Sequence, residues 1–203
     1  MKTFYASLKH LCLPVALLAG LYACQLNTET PAPAVPKLKP LARNIMLGDQ
    51  GSAVGSFYSS SADEALPAVE IATLTPTEKN RIDITFASIY TEREPAFVSP
   101  DAREQTSGYD GSALNNPMGA YATRTVFKEV PGGPADLSKV SAAEVAAING
   151  NDAVKVIVLR TNTTYAFVNA QGKKGFIRVR QIGDLDGQGN AGREVVFDVV
   201  VQE

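Results

Sequence analysis

Histidine and cysteine are nearly missing from this chain. Its 203 residues include one His, His10, and two Cys, Cys12 and Cys24. All three fall in the first 24 residues, so a chain starting at Cys24 has no His and one terminal Cys. That excludes Ser-His-Asp and Cys-His catalysis, His/Cys zinc sites and structural disulfides from the remainder. A Ser-Lys pair at three-residue spacing is also missing there. Tryptophan is absent throughout, which removes the strongest stacking platform for sugars or bases. Positive charge is scarce as well. Of 19 Lys+Arg, Lys2 and Lys9 precede Cys24, leaving 17 against 21 Asp+Glu, a net charge of −4. Nucleic acid needs a clustered positive surface and anionic lipid heads need a polybasic patch; the sequence offers neither.

The N-terminus carries the most specific signal. Lys2, Lys9 and His10 form a basic region, and residues 11–23 (LCLPVALLAGLYA) form an apolar run. The run is shorter than the roughly 20 residues a membrane-spanning helix needs and matches a secretory signal. It ends in Leu21-Tyr22-Ala23-Cys24. This tetrapeptide resembles a bacterial lipobox, with an apolar residue three before the Cys and a small residue directly before it; Tyr22 departs from the small residue usual at its position. The resemblance implies cleavage before Cys24, diacylglycerol on its sulfur and acylation of the new amine. Two or three acyl chains anchor stably where one does not. Residues 25–43 contain Pro31, Pro33, Pro36 and Pro40, which favour an extended polyproline II spacer. The expected organisation is a cleaved signal peptide (1–23), lipidated Cys24 with a Pro-rich linker (24–43), and one globular domain (44–203).

Within 44–203 strands dominate. Alternation or β-branched runs mark Ile45–Leu47, Gly55–Ser61, Ile82–Tyr90, Thr123–Phe127, Val154–Leu159, a hairpin of Tyr165–Asn169 with Phe176–Arg180, and Arg193–Val201. Val69–Ala72 reads as a short strand. Helix starts are marked by capping boxes at Thr75/Glu78 and Ser141/Glu144, the second helix running to about Asn149 and packing against a sheet edge or end. Residues 91–135 are rich in Gly, Pro, Asn and Ser and read as long loops around the Thr123–Phe127 strand. The fold class expected is α+β and β-dominated, a mostly antiparallel sheet or sandwich with two short helices; an all-β sandwich is the alternative.

Leu47-Gly48-Asp49-Gln50, Gly55-Ser56-Phe57-Tyr58-Ser59, Ile82-Asp83-Ile84, Ser99-Pro100-Asp101, and Tyr165-Ala166-Phe167 followed by Gly172–Ile177 resemble, in this order, a loosely defined group of small Bacteroidetes lipoproteins. The resemblance covers about half of the domain and implies an outer-membrane location and a one-domain architecture, with no activity attached. Gln25–Glu29 holds a single acid, which leaves surface against periplasmic face open.

Candidate chemistry is sparse. Tyr109, Asp110, Asn115, Asn116 and Tyr121 combine aromatic faces, amides and a carboxylate in one loop, the combination that sugar-binding surfaces use. Asp184 and Asp186 resemble the start of a Ca²⁺ loop, but Gln188 and Val195 stand where oxygen ligands belong, and a hairpin turn explains the same residues. Gly172-Lys173-Lys174 lacks the rest of a phosphate loop and reads as a hairpin tip. Asp83, Glu92, Glu94, Asp101 and Asp110 are the acids from which carboxylate-based glycoside hydrolysis would draw, with nothing fixing a pair. The expectation is therefore a lipid-anchored envelope protein without catalytic activity or a required cofactor. It acts as a binding or interaction module for a glycan or protein partner and does not bind nucleic acid. A structural subunit of a surface complex and a small His-independent hydrolase are the alternatives.

Overall fold

The computed structural model describes residues 36–50, 52–184 and 193–203. Cys24, the lipobox and most of the linker lie outside them. Ten strands form two five-stranded antiparallel sheets, so the β-dominated sandwich expected from the sequence is what the chain adopts. Five strands make the first sheet: β1 (Ala42–Gly48), β6 (Val126–Glu129), β8 (Thr164–Val168), β9 (Lys174–Asp184) and β10 (Arg193–Val201), in the order β1-β10-β9-β8-β6. Its partner consists of β2 (Phe57–Ser59), β3 (Glu64–Leu66), β4 (Ile84–Ile89), β5 (Glu94–Val98) and β7 (Val156–Val158), in the order β3-β2-β4-β5-β7. No helix among the described residues is long and apolar enough to cross a membrane.

Aromatic side chains fill the space between the sheets. Phe97 of the second sheet meets Phe127, Tyr165 and Phe197 of the first at ring-centroid distances of 5.9, 6.5 and 5.4 Å, and Tyr58 meets Phe197 edge-on at 5.6 Å. Such offset and edge-to-face contacts add to the apolar area that aromatic rings bury. The sheets are also tied through backbone: Phe127 N donates to Val154 O at 2.7 Å and Val154 N to Phe127 O at 2.8 Å. Val154 leads directly into β7, so these two bonds join one margin of each sheet.

Both outer faces are covered in part. On the second sheet, Ala87, Ile89, Ala96 and Val98 pack against Ala102 and Leu114 from the segment that follows β5. On the first, Ala166, Phe176 and Val200 pack against Val145 and Ile148. This cover explains why β4 is buried on both faces although Thr85 and Ser88 interrupt its apolar residues.

Several local expectations need correction. Val69–Ala72 is not a strand but part of helix α1 (Ala68–Thr73), which starts after Pro67 and buries Ile71 while leaving Val69 73% exposed. Val69 and Ile71 suit a period of two or a short helix equally, and packing of Ile71 with Phe57, Leu66 and Met118 decides between them. The Thr75 box opens helix α2 (Pro76–Lys79) and the Ser141 box opens α3 (Ala142–Ala146), each with both reciprocal bonds formed. Helix α3 is shorter than expected and lies on a sheet face rather than an edge. Within 91–135, β5 is a strand the composition conceals. Pro95 lacks a donor, which usually bars an inner strand; here it sits at the strand start, pairing with Ser88 on β4, while the ladder to β7 begins one residue later at Ala96. The strand expected at Thr123–Phe127 begins at Val126, because Thr123 and Thr125 are held by other bonds. Residues 38–43, expected in the linker, join the domain: Leu38 bridges Gln202, and Lys39 N donates to Val201 O at 2.9 Å.

Candidate functional site

The segment from Ser99 to Thr125 carries all five residues of the expected sugar-binding set. Two 3-10 turns, Pro100–Gln105 and Gly119–Tyr121, give it form. Ser99 Oγ donates to Asp101 Oδ1 at 2.6 Å and accepts from Thr125 N at 2.8 Å, while Lys155 Nζ donates to Asp101 Oδ2 at 2.7 Å. Thr123 Oγ1 donates to Ile82 O. Arg103 is fully buried at the centre. Its Nε donates to Asn115 O at 2.8 Å, its Nη2 to Gln50 Oε1 at 3.2 Å, and its guanidinium lies 4.7 Å over the Phe57 ring. Gln50 Oε1 also accepts from Asn115 N at 2.8 Å. Burial lowers the Arg103 pKa to about 10, with Asp49 pulling the other way, so the group stays cationic at neutral pH. A charge removed from water this fully is retained only with partners, and these partners fix the segment to the sheet.

Each acid of the resembling motifs has a comparable task. Asp49 Oδ1 accepts from Ser88 N at 2.9 Å and Gln50 N at 2.8 Å. Asp83 is buried and accepts from Ser60 N at 3.0 Å, from Ser60 Oγ and from Asn169 Nδ2 at 3.0 Å. Burial pushes its carboxyl above the usual carboxylate range, and those three donors pull it back only in part. Asn169 belongs to the turn between β8 and β9, so Asp83 links the two sheets.

The five expected residues are held at different points of the segment. Tyr109, 39% exposed, lies near the C-terminal end of β4, where Tyr90 N donates to Ser107 O at 3.1 Å. Tyr121, 44% exposed, lies near the other end, two residues before Thr123 and its bond to Ile82. The six residues of β4 set these two anchor points roughly 17 Å apart along the strand. Asp110 folds onto its own turn, accepting from Ser112 Oγ at 2.7 Å and Ser112 N at 2.9 Å, and these donors hold its carboxyl below the usual range. Asn116 is spent on the loop too, with Nδ2 donating to Pro100 O at 3.2 Å and Oδ1 accepting from Met118 N at 3.3 Å. Asn115 contributes backbone bonds to Arg103 and Gln50. Tyr109 and Tyr121 are the exposed aromatic rings of the segment, and Asn115 is exposed as well.

Asp184 ends β9, and Asp186 lies outside the described residues. The Gly172–Lys174 stretch forms a hairpin tip, with Gly172 at φ 74° and Lys174 Nζ donating to Ala146 O at 2.7 Å.

The fold itself has a counterpart. This chain is similar in fold to a DUF4466 family protein from Parabacteroides merdae. The TM-score is 0.56 at 14% sequence identity, over 83% of this chain and 54% of that one. The chain thus spans about half the length of that structure, and the likeness concerns the fold. No family model matches the chain, and no curated protein matches it in sequence.

Sequence reasoning missed Arg103, which no spacing distinguishes from a surface arginine. It also missed Tyr90 and Arg93. These flank the β4–β5 turn, and Arg93 lies with its guanidinium 4.8 Å over the Tyr109 ring.

Proposed function

We propose that this chain is a binding or interaction module of a bacterial envelope, tethered to the outer membrane through lipid on Cys24. The observation that carries the binding role is the 99–125 segment. Its middle is fixed by a fully buried arginine, while Tyr109 and Tyr121 stay 39% and 44% exposed. Exposed aromatic rings on a preorganised loop lose little entropy on meeting a ligand. The lipobox-like Leu21–Cys24 supports the anchor, and likeness in fold to a Parabacteroides protein is in keeping with a Bacteroidetes origin.

A glycan-array screen of the full chain tests the binding role. Binding to at least one glycan class is expected, weakened at least tenfold by Tyr109→Ala or Tyr121→Ala; a blank array, or binding indifferent to both changes, contradicts it. The anchor is tested separately. Cys24→Ser is expected to move the protein from membrane to soluble fractions, and unchanged fractionation would remove the lipid from the proposal.

A further inference from the structure

Several features converge where β4 turns into β5. The first is backbone strain. Six described non-glycine residues have positive φ: Asn44, Asp63, Tyr90, Arg93, Asp152 and Asn162. Asn and Asp tolerate this region, whereas Tyr and Arg do not adopt it without cost. Tyr90 (φ 56°) and Arg93 (φ 54°) are the two exceptions, and they bracket the same turn, where Arg93 N donates to Tyr90 O at 3.1 Å. Strained positions of this kind concentrate at ligand clamps.

The second is what the strained turn presents. Tyr90 is 47% exposed, and the Arg93 guanidinium stacks on exposed Tyr109. The third is a concavity of about 500 Å³ beside the turn, lined by Arg93, Arg160 and Arg193 together with Glu92 and Glu94. The three arginines come from separate segments: the turn, the residues after β7 and the first position of β10. Three arginines and two glutamates line it, and Arg160 Nη1 also lies 3.7 Å from Glu129 Oε2, an exposed pair with which a ligand carboxylate would compete. A guanidinium holds a carboxylate through two parallel hydrogen bonds, and a phenol face accepts the apolar face of a sugar.

We propose that this concavity, with Tyr90 and Tyr109 beside it, binds a carboxylate-bearing saccharide of the uronic-acid type. The assignment rests on the binding-module reading above and names its ligand class.

Calorimetric titration of the full chain tests it with four probes: oligogalacturonate, oligomannuronate, fully methyl-esterified oligogalacturonate and inorganic phosphate. At least one acidic oligomer is expected to bind, more weakly as salt rises, and the neutral ester at least tenfold more weakly. Arg160→Glu is expected to lower affinity tenfold or more. The Arg160 side chain is 75% exposed and its 3.7 Å pair with Glu129 is an exposed one that adds little to stability, so the melting temperature should change little. Glu92→Gln removes a competing carboxylate and is expected to raise affinity, a gain that lost folding cannot imitate. Phosphate binding as tightly as the oligomers overturns the saccharide assignment. So does failure of both acidic oligomers, or equal binding of acid and ester with no response to Arg160→Glu. If neutral glycans on the array still bind through Tyr121, the module reading survives that failure; if the array is blank, both fall together.

Discussion

Asp83 shows at the scale of one residue how this protein uses its acids. A carboxylate in a small β-domain without histidine invites a catalytic reading, yet Asp83 is buried and faces three donors, from Ser60 and Asn169. Asp49 and Asp101 are likewise committed to backbone amides or to Lys155. The acids of the ordered motifs that resemble a lipoprotein group are thus polar ties within the fold, set among buried core residues such as Leu47, Phe57, Ile84 and Phe167. Asp83 also makes a pH prediction. Burial raises its folded-state pKa above the unfolded value of about 3.9. The folded state therefore holds the proton to higher pH than the unfolded chain. Stability from this group is complete below the unfolded pKa and falls as pH rises through the raised folded pKa. Asp83→Asn is expected to flatten that decline. It should also cost about 1–3 kcal/mol at neutral pH, because an amide turns one acceptor into a donor facing donors. Denaturant midpoints of both proteins across acid to neutral pH check this, and parallel profiles would show that Asp83 does not titrate on folding.

Among the elements, local sequence rules succeed where the interaction is local. Both capping boxes form as spelled by Thr75/Glu78 and Ser141/Glu144, because the bonding partners lie three residues apart. The rules fail at α1 and β5, whose state is set by what packs on them. The β4–β5 turn runs against local preference altogether, with Tyr90 and Arg93 in the left-handed region. Tyr90→Asn should relieve part of that cost and stabilise the protein by about 0.5–1 kcal/mol. If the turn serves the concavity beside it, the same change weakens ligand binding, the usual opposition between stability and function. Thermal melting and ligand titration of this one variant read both effects.

At the scale of the whole molecule, the two sheets share an aromatic core and a backbone link through Phe127 and Val154. Phe97 touches three rings of the opposite sheet, so Phe97→Ala is expected to cost about 3–5 kcal/mol. Val154 is 47% exposed and contributes one donated bond to Phe127 O. Val154→Pro deletes that donor and should cost about 1–3 kcal/mol, with little apolar area lost. Urea unfolding of the two variants separates core packing from the margin link: an unfolding midpoint unchanged in Val154→Pro would mean the link does not hold the sheets.

The sequence alone determined a β-dominated, mostly antiparallel fold, the β8–β9 hairpin, the starts of α2 and α3, and the restricted chemistry of a chain whose His and Cys lie before residue 25. Composition, side-chain alternation and three-residue capping are short-range properties, legible without coordinates. Only the tertiary structure decided that Tyr109 and Tyr121 stand at opposite ends of β4, that Arg103 is buried, and that Arg93, Arg160 and Arg193 line one concavity. Those relations join residues far apart in the chain. Strand pairing and sheet packing set them, and neither leaves a periodic trace in the sequence around each residue.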